Sequence, residues 1–430
     1  MRFWLKLGFI SFGGPAGQIA IMQHELVERK KWIGQERFLH ALNFCMLLPG
    51  PEAQQLAIYC GWLLHRTWGG IAAGVLFVLP SAFILWGLSM VYAGYGHVPW
   101  VAAVFYGLKP AVMAIVCAAV VRIGRKALKN GMMWAIAAAA FGLIFFFKAP
   151  FPAIVFGALA LGFAGARFAP GMFVPAGSGH GPERAAGDPS RERAVIDDAA
   201  GAFAVKPSWG RALRVTAVCG AWWVAPLAGL GAWRGLASTW VEEGIFFSKA
   251  AMVTFGGAYA VLPYVAQQAV DHHAWLTAPQ MMDGLAFAET TPGPLIMVLQ
   301  FVGFMGGWNQ PEGLVPWVSA TLGAVVTTWV TFVPCFLWIF LGAPHIEQLR
   351  GRKWLEAGLS AVTAGVVGVI LNLAVWFGWH VLVPGGTWMS VDWFAVCLGT
   401  LAFVALHRFK LNLLAVIAAS GAAGLLAVFI

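Results

Sequence analysis

Leu48-Pro49-Gly50-Pro51-Glu52-Ala53-Gln54-Gln55 cuts through an apolar run with two prolines, a glycine, a carboxylate and two amides. Proline lacks a backbone donor and disfavours helix at the residue before it, yet suits the first turn of a new helix. The stretch therefore predicts a helix that stops, a non-helical Pro-Gly corner, and a second helix starting near Pro51. Glu52, Gln54 and Gln55 then occupy its first turn, beside free backbone N–H groups. The flanking segments 38–47 and 56–64 are apolar, so the corner lies at membrane depth. Irregular backbone is tolerated there only against protein or a water-filled cavity, and such breaks recur at transporter binding sites.

The bulk composition agrees. Of 430 residues, 60% are hydrophobic and 10% charged, against about 25% charged in a typical soluble domain. Mean hydropathy is +0.77. The fold class is an all-α polytopic membrane protein, with the lipid bilayer as its solvent. A net charge of +9 reads as basic cytoplasmic loops, not nucleic-acid binding, because no basic cluster is interleaved with exposed stacking residues. Cys45, Cys60, Cys117, Cys219, Cys335 and Cys397 are scattered through apolar runs with no Cys-x-x-Cys pair. They read as small buried hydrophobes. His272-His273 has no partners at metal-ligand spacing, so neither a metal nor a cofactor is expected. No cleavable signal peptide is apparent, which leaves targeting to the spans.

Along the chain, segment 3–22 is apolar but broken at Gly13-Gly14-Pro15, and a charged loop follows from 24 to 37. Segments 69–92 and 98–121 have the length a span needs, roughly 20 residues. Arg122, Arg125, Lys126 and Lys129 come next, then two short apolar stretches, 132–147 and 151–168. Residues 169–210 read as a flexible polar linker and 211–235 as an extra apolar helix. Segment 245–265 reads as one span, and 281–307 carries a second break at Thr290-Thr291-Pro292-Gly293-Pro294. The expected organisation is a first repeat over 1–168 and a second over 236–430, with about 12–14 membrane segments in all.

The repeat is visible at a single offset. Residues 3–56 align without a gap on 246–299, so that Lys6 falls on Lys249 (249 − 6 = 243). Phe12-Gly13-Gly14 falls on Phe255-Gly256-Gly257, Trp32 on Trp275, and Pro49-Gly50-Pro51 on Pro292-Gly293-Pro294. Pro80 and Pro334 look equivalent, as do Gly107 and Gly358. Loop charges differ in a consistent sense between matched positions. Arg29-Lys30-Lys31 faces Asp271-His272-His273, the uncharged 93–97 faces Arg350, Arg352 and Lys353, and the cations from Arg122 to Lys129 face an uncharged 380–390, His380 apart. Inverted-topology halves would show this pattern.

These residues resemble the chromate ion transporter family in its long, two-domain form. The carriers are Lys6 with Phe12-Gly13-Gly14-Pro15, the string Leu48 to Ala57, Gly61-Trp62, Phe255-Gly256-Gly257 and Thr291-Pro292-Gly293-Pro294. The resemblance runs through both halves. It implies a multi-pass inner-membrane exporter of chromate, driven by the proton motive force, with sulfate as the look-alike anion and two oppositely oriented halves. The chain departs from the family in opening almost directly on the motif helix.

A tetrahedral dianion needs donors and positive potential, which two broken helices supply through their N-termini. Gly13, Gly14, Gly256 and Gly257 either admit backbone to the anion or pack helices closely. Lys6 and Lys249 are ionisable groups inside apolar segments, the usual mark of function; Lys6, near the chain start, equally suits snorkelling to the interface. Glu52 and Glu289 are the carboxylates at the breaks and the expected carriers of a coupling proton, with helix capping as the alternative for Glu52. Glu289 aligns with Met46, so the two are not symmetric copies. Gln54, Gln55, Thr290 and Thr291 either ligate oxyanion oxygens or satisfy freed backbone groups. Lys109 is a secondary anion contact. No zinc signature, nucleophile elbow or Ser–Lys dyad falls on a broken helix, and no Walker-type motif is present, so the expectation is a secondary transporter, not an enzyme. A passive anion channel, or an uptake transporter for another small oxyanion, is the alternative. The oligomeric state is open, a homodimer included.

Overall fold

A computed structural model describes residues 1–12, 14–173, 196, 208–255, 257–345 and 353–429. Among them the architecture is helical. The first half contains α1 (Arg2–Ile10), α2 (Gly14–Gln23), α3 (Gln35–Leu47), α4 (Glu52–Tyr95), α5 (Pro99–Ala127), α6 (Gly131–Phe147), α7 (Phe151–Phe168) and the short α8 (Pro170–Phe173). Then come α9 (Trp209–Arg234), α10 (Thr239–Val253), α11 (Ala258–Ala266), α12 (Ala278–Thr290), α13 (Val298–Asn309), α14 (Pro316–Gly342), α15 (Lys353–Leu382), α16 (Trp393–His407) and α17 (Leu413–Phe429). Six of these, α4, α5, α7, α9, α14 and α15, are long and apolar enough to cross a membrane, and shorter apolar helices accompany them. The protein is an all-α polytopic membrane protein.

Helix ends follow local chemistry. Asn130 caps α6 by accepting the Met133 N–H at 3.0 Å. Thr277 and Gln280 form a capping box at the start of α12. Asp392 accepts the Ala395 N–H at 2.9 Å and also a hydrogen bond from the Tyr106 hydroxyl at 2.8 Å, which ties α16 to α5. In α4 the backbone turns sharply at His65 and Arg66, where Arg66 has φ 53°. The arm 52–64 therefore folds back on the longer arm, and Gly61 meets Gly69 backbone to backbone.

Three sequence expectations are corrected here. The charged loop expected at 24–37 is largely helical. A π-helical turn, His24–Arg29, continues α2, and α3 begins at Gln35. Charges spaced four apart, Arg29 with Glu25 and His24 with Glu28, each at 2.8 Å, support helix where charge density suggested loop. The single span expected over 245–265 is two helices, because the chain leaves helical geometry at Gly257 (φ 95°) between α10 and α11. Most of the basic loop expected after the second span is helical: Arg122 lies in α5, and Arg125 and Lys126 in its last turn, where cations complement the helix dipole, while Lys129 lies past its end. Within the expected linker, Ile196 forms a bridge to Ile33, and its N–H donates to the Trp32 carbonyl at 3.1 Å; residues 174–195 and 197–207 lie outside the described residues.

The core sits around the two breaks. Residues 53–63 and 291–307 are buried all round, as expected of helices that are apolar on every face. By contrast α9 buries none of its residues and packs on α14 and α10 from outside. Elsewhere, small residues bring helix backbones together, the usual means of association where lipid is as apolar as the side chains. At the crossing of α5 and α17, a methyl on Gly107 would collide with the Ser420 carbonyl and lie 2.7 Å from the Gly424 nitrogen. Gly107→Leu should therefore separate these helices and destabilise the fold by about 1–3 kcal/mol. Gly142→Leu, at a position with open space, should leave the thermal unfolding temperature in detergent unchanged.

Candidate functional site

The two breaks hold each other's halves. At the first, Gly50 has φ 124° and its N–H donates to the Thr254 carbonyl at 2.8 Å. At the second, Gly293 has φ 120° and its N–H donates to the Ser11 carbonyl at 2.8 Å. Ser11 and Thr254 end α1 and α10, and their hydroxyls donate back to Leu7 and Ala250 at 2.5 and 2.6 Å. Every partner is displaced by the same offset (293 − 50 = 254 − 11 = 250 − 7 = 243). A left-handed φ of this kind favours glycine, and neither position has room for a side chain. A Cβ on Gly50 would lie 3.0 Å from Cys335 Sγ, and one on Gly293 would strike Ser81. Those neighbours directly follow Pro334 and Pro80 in α14 and α4. The π-helical turns obey the same offset, His24–Arg29 matching Gln267–His272.

Around this clasp, helix starts converge. α2 opens at Gly14 and α11 at Ala258, after Gly257 as N-cap. α4 opens at Glu52, and a 3₁₀ turn, Leu295–Met297, leads into α13. Gly13 and Gly256 lie outside the described residues. Glu52 Oε1 lies 3.9 Å from the point where a Cβ on Gly257 would stand, so this carboxylate faces the N-terminus of α11, across the boundary between the halves. Gln18 Nε2 donates to the Gly293 carbonyl at 2.6 Å.

The amides and threonines near the breaks have mostly local work. Gln55 Nε2 donates to the Pro49 carbonyl at 2.8 Å, satisfying backbone freed by the break. Gln54 is buried with its carbonyl oxygen unpartnered. Thr290 Oγ1 turns back to the Ala286 and Phe287 carbonyls at 2.9 and 3.0 Å. Thr291 is buried in the corner with Pro292 and Pro294. Lys6 and Lys249 lie on exposed faces of α1 and α10. Lys6 is close enough to the charged turn to act on Glu25, whose carboxyl is held below its ordinary range chiefly by the hydrogen bond from Arg29.

Sequence reasoning named Glu289 but missed Asp283 and the partners that gather around both on α12. Glu289 is buried and accepts a short hydrogen bond from the Tyr259 hydroxyl, which Arg122 also approaches from α5. Six residues earlier, buried Asp283 accepts a hydrogen bond from Tyr92 at 2.8 Å and lies 3.9 Å from Lys109 Nζ. Lys109, expected as an anion contact, is thus paired with a carboxylate. The available signal was Asp283 itself, a carboxylate inside an apolar segment. Among the described residues no group of His, Cys, Asp and Glu could hold a metal ion.

Comparison with known proteins places this geometry. The chromate transporter family model matches residues 1–163 and 242–425. The chain belongs to this family. Among family relatives, a chromate transport protein of Pseudomonas aeruginosa is 32% identical over 98% of the chain and 90% of its own length. One of Cupriavidus metallidurans is 28% identical over 87% of the chain and 81% of its length. A probable chromate transport protein of Synechococcus elongatus is 26% identical over 88% and 83%. No solved structure matches the chain. As a family member it is a transport protein and not an enzyme.

Tyr259→Phe should deprive buried Glu289 of its hydroxyl donor and destabilise the fold by roughly 1–3 kcal/mol. Thermal unfolding in detergent measures this; Tyr95→Phe, at an exposed residue, should be silent.

Proposed function

We propose that this protein is a secondary active transporter that exports chromate across the bacterial inner membrane, coupled to the proton motive force, with sulfate as a competing anion. The reciprocal clasp carries this reading: Gly50 on Thr254 and Gly293 on Ser11, with the starts of α2, α4 and α11 a few residues from those four positions. Free N–H groups at helix starts stabilise a tetrahedral dianion without a metal. The names of the relatives support chromate as that dianion.

Glu52 is suited to couple the proton. Ionised, it occupies the positive end of α11 that the anion needs. Protonated, it loses its attraction for that end and its repulsion for a dianion. Glu289, held by Tyr259 and approached by Arg122, is the second candidate. Lys249 and Lys6, on exposed faces of the helices leading to the clasp, raise the local positive potential along the approach. The halves run in opposite senses across the membrane in this reading. The loop charges support it, and the exchange of equivalent partners at the clasp is what a two-fold relation produces.

Inside-out membrane vesicles test the proposal. Energised by respiration, they should accumulate radiolabelled chromate against its gradient, lose it on adding a protonophore, and take up less in the presence of sulfate. Flux that only equilibrates would mark a passive channel. Glu52→Gln should cut accumulation at least about tenfold, a barrier change of about 1.4 kcal/mol, and leave residual flux insensitive to the protonophore. Unaltered gradient dependence in that variant would remove Glu52 from the coupling role.

A further inference from the structure

Glu243 lies in the first turns of α10, fully buried at 0% exposure. Neither of its carboxyl oxygens has a hydrogen-bond partner. The side chain is wedged between two helices: a Cβ on Gly306 of α13 would strike Oε1, and one on Gly323 of α14 would lie 2.9 Å from Oε2. Two further buried polar atoms beside it are unpartnered, the Trp275 indole N–H and the Thr327 hydroxyl. Trp275 reaches within 3.2 Å of the same point at Gly306, and Thr327 abuts Gly303, whose carbonyl meets Gly323.

The surrounding charges do not neutralise it. α13 and α14 carry no Asp, Glu, His, Lys or Arg, and their one titratable group is the Cys335 thiol. From α9, Arg234 stacks over Trp233 at 4.2 Å and sits 5.7 Å from the Trp240 ring. α11 brings Tyr259 and Tyr264. On α10 itself, Glu242 faces His273 at 3.6 Å, and Lys249 is exposed. Exposed Glu312 accepts the Thr239 N–H and hydroxyl, each at 2.6 Å, and its field reaches Glu243. An ionised carboxylate with no donor and no cation in such a place costs several kcal/mol.

From this wedge we infer that Glu243 is a proton-binding site of the transporter, a carboxylic acid whose ionisation unpacks α10 from α13 and α14. The inference rests on the proton-coupled reading above and adds a site distant from the breaks. α10 runs from this wedge to Thr254, about 16 Å along the helix at 1.5 Å per residue, and Thr254 holds the Gly50 N–H. A proton released from Glu243 leaves a charge that the wedge cannot hold. α10 must then shift, and the first break shifts with it.

The test separates this site from chromate transport. For an acid that is protonated when folded and ionised when unfolded, stability falls as pH rises above the unfolded pKa, until the folded group also ionises. The unfolding temperature of the purified wild type should therefore drop between about pH 5 and pH 9, and in Glu243→Gln the drop should shrink by roughly half. Superimposable pH profiles would overturn the inference. So would sodium-dependent stabilisation of the wild type that Glu243→Gln abolishes, since that would make the ligand a metal cation. Infrared spectra at neutral pH provide a second measurement, whose overturning result needs only the wild type. A protonated-acid carbonyl band that weakens in Glu243→Gln or shifts in Glu243→Asp supports the site, and absence of any such band sinks it. None of these readouts uses chromate, so a protein that titrates as described but moves no chromate would leave this site standing and refute the proposed function.

Discussion

An unpaired peptide group cannot be left in hydrocarbon, and the rest of the structure answers to that constraint. Two Pro-Gly-Pro corners expose backbone N–H and C=O groups at the centre of an apolar chain. Most are satisfied from the opposite half, Gly50 on Thr254, Gly293 on Ser11 and the Gly293 carbonyl by Gln18, and the Pro49 carbonyl is satisfied by Gln55 of its own half. For the corners to approach the ends of α1 and α10, both glycines must lack side chains. For α4 and α14 to lie against the corners, Ser81 and Cys335 must be small. The same contacts that pair the backbone therefore place helix starts from both halves around one locus. Stability draws on that geometry, and so does anion binding in the function proposed above.

Much of this was legible in the residues because proline and glycine punctuate locally. The corners, the offset of 243 and the restart of helix at Glu52 all follow from short strings whose backbone consequences do not depend on distant partners. What escaped the sequence depends on such partners. Asp283 meets Tyr92 across 191 positions and Glu289 meets Tyr259 across 30, and no periodicity announces either pair. The charged stretches misled for another reason. Arg29, Glu25 and Arg122 have the composition of loop, yet pairs four apart and the helix dipole favour helix there. Likewise the apolar character of a helix does not tell how far it is buried: α9 buries nothing, and α13 is buried throughout its first ten residues.

The backbone of the clasp is matched between halves, but the ionisable chemistry is not. Asp283 and Glu289 on α12 fall opposite His40 and Met46 on α3 at the common offset, and Glu52 falls opposite Leu295. A pair of identical subunits would have to carry every such change twice, so a carboxylate placed beside one corner would appear beside the other as well. Joined in a single polypeptide, the two copies are released from that obligation. One can set its carboxylate just after the corner while its sibling sets one before it and adds a second acid, and the scaffold that both share is left intact.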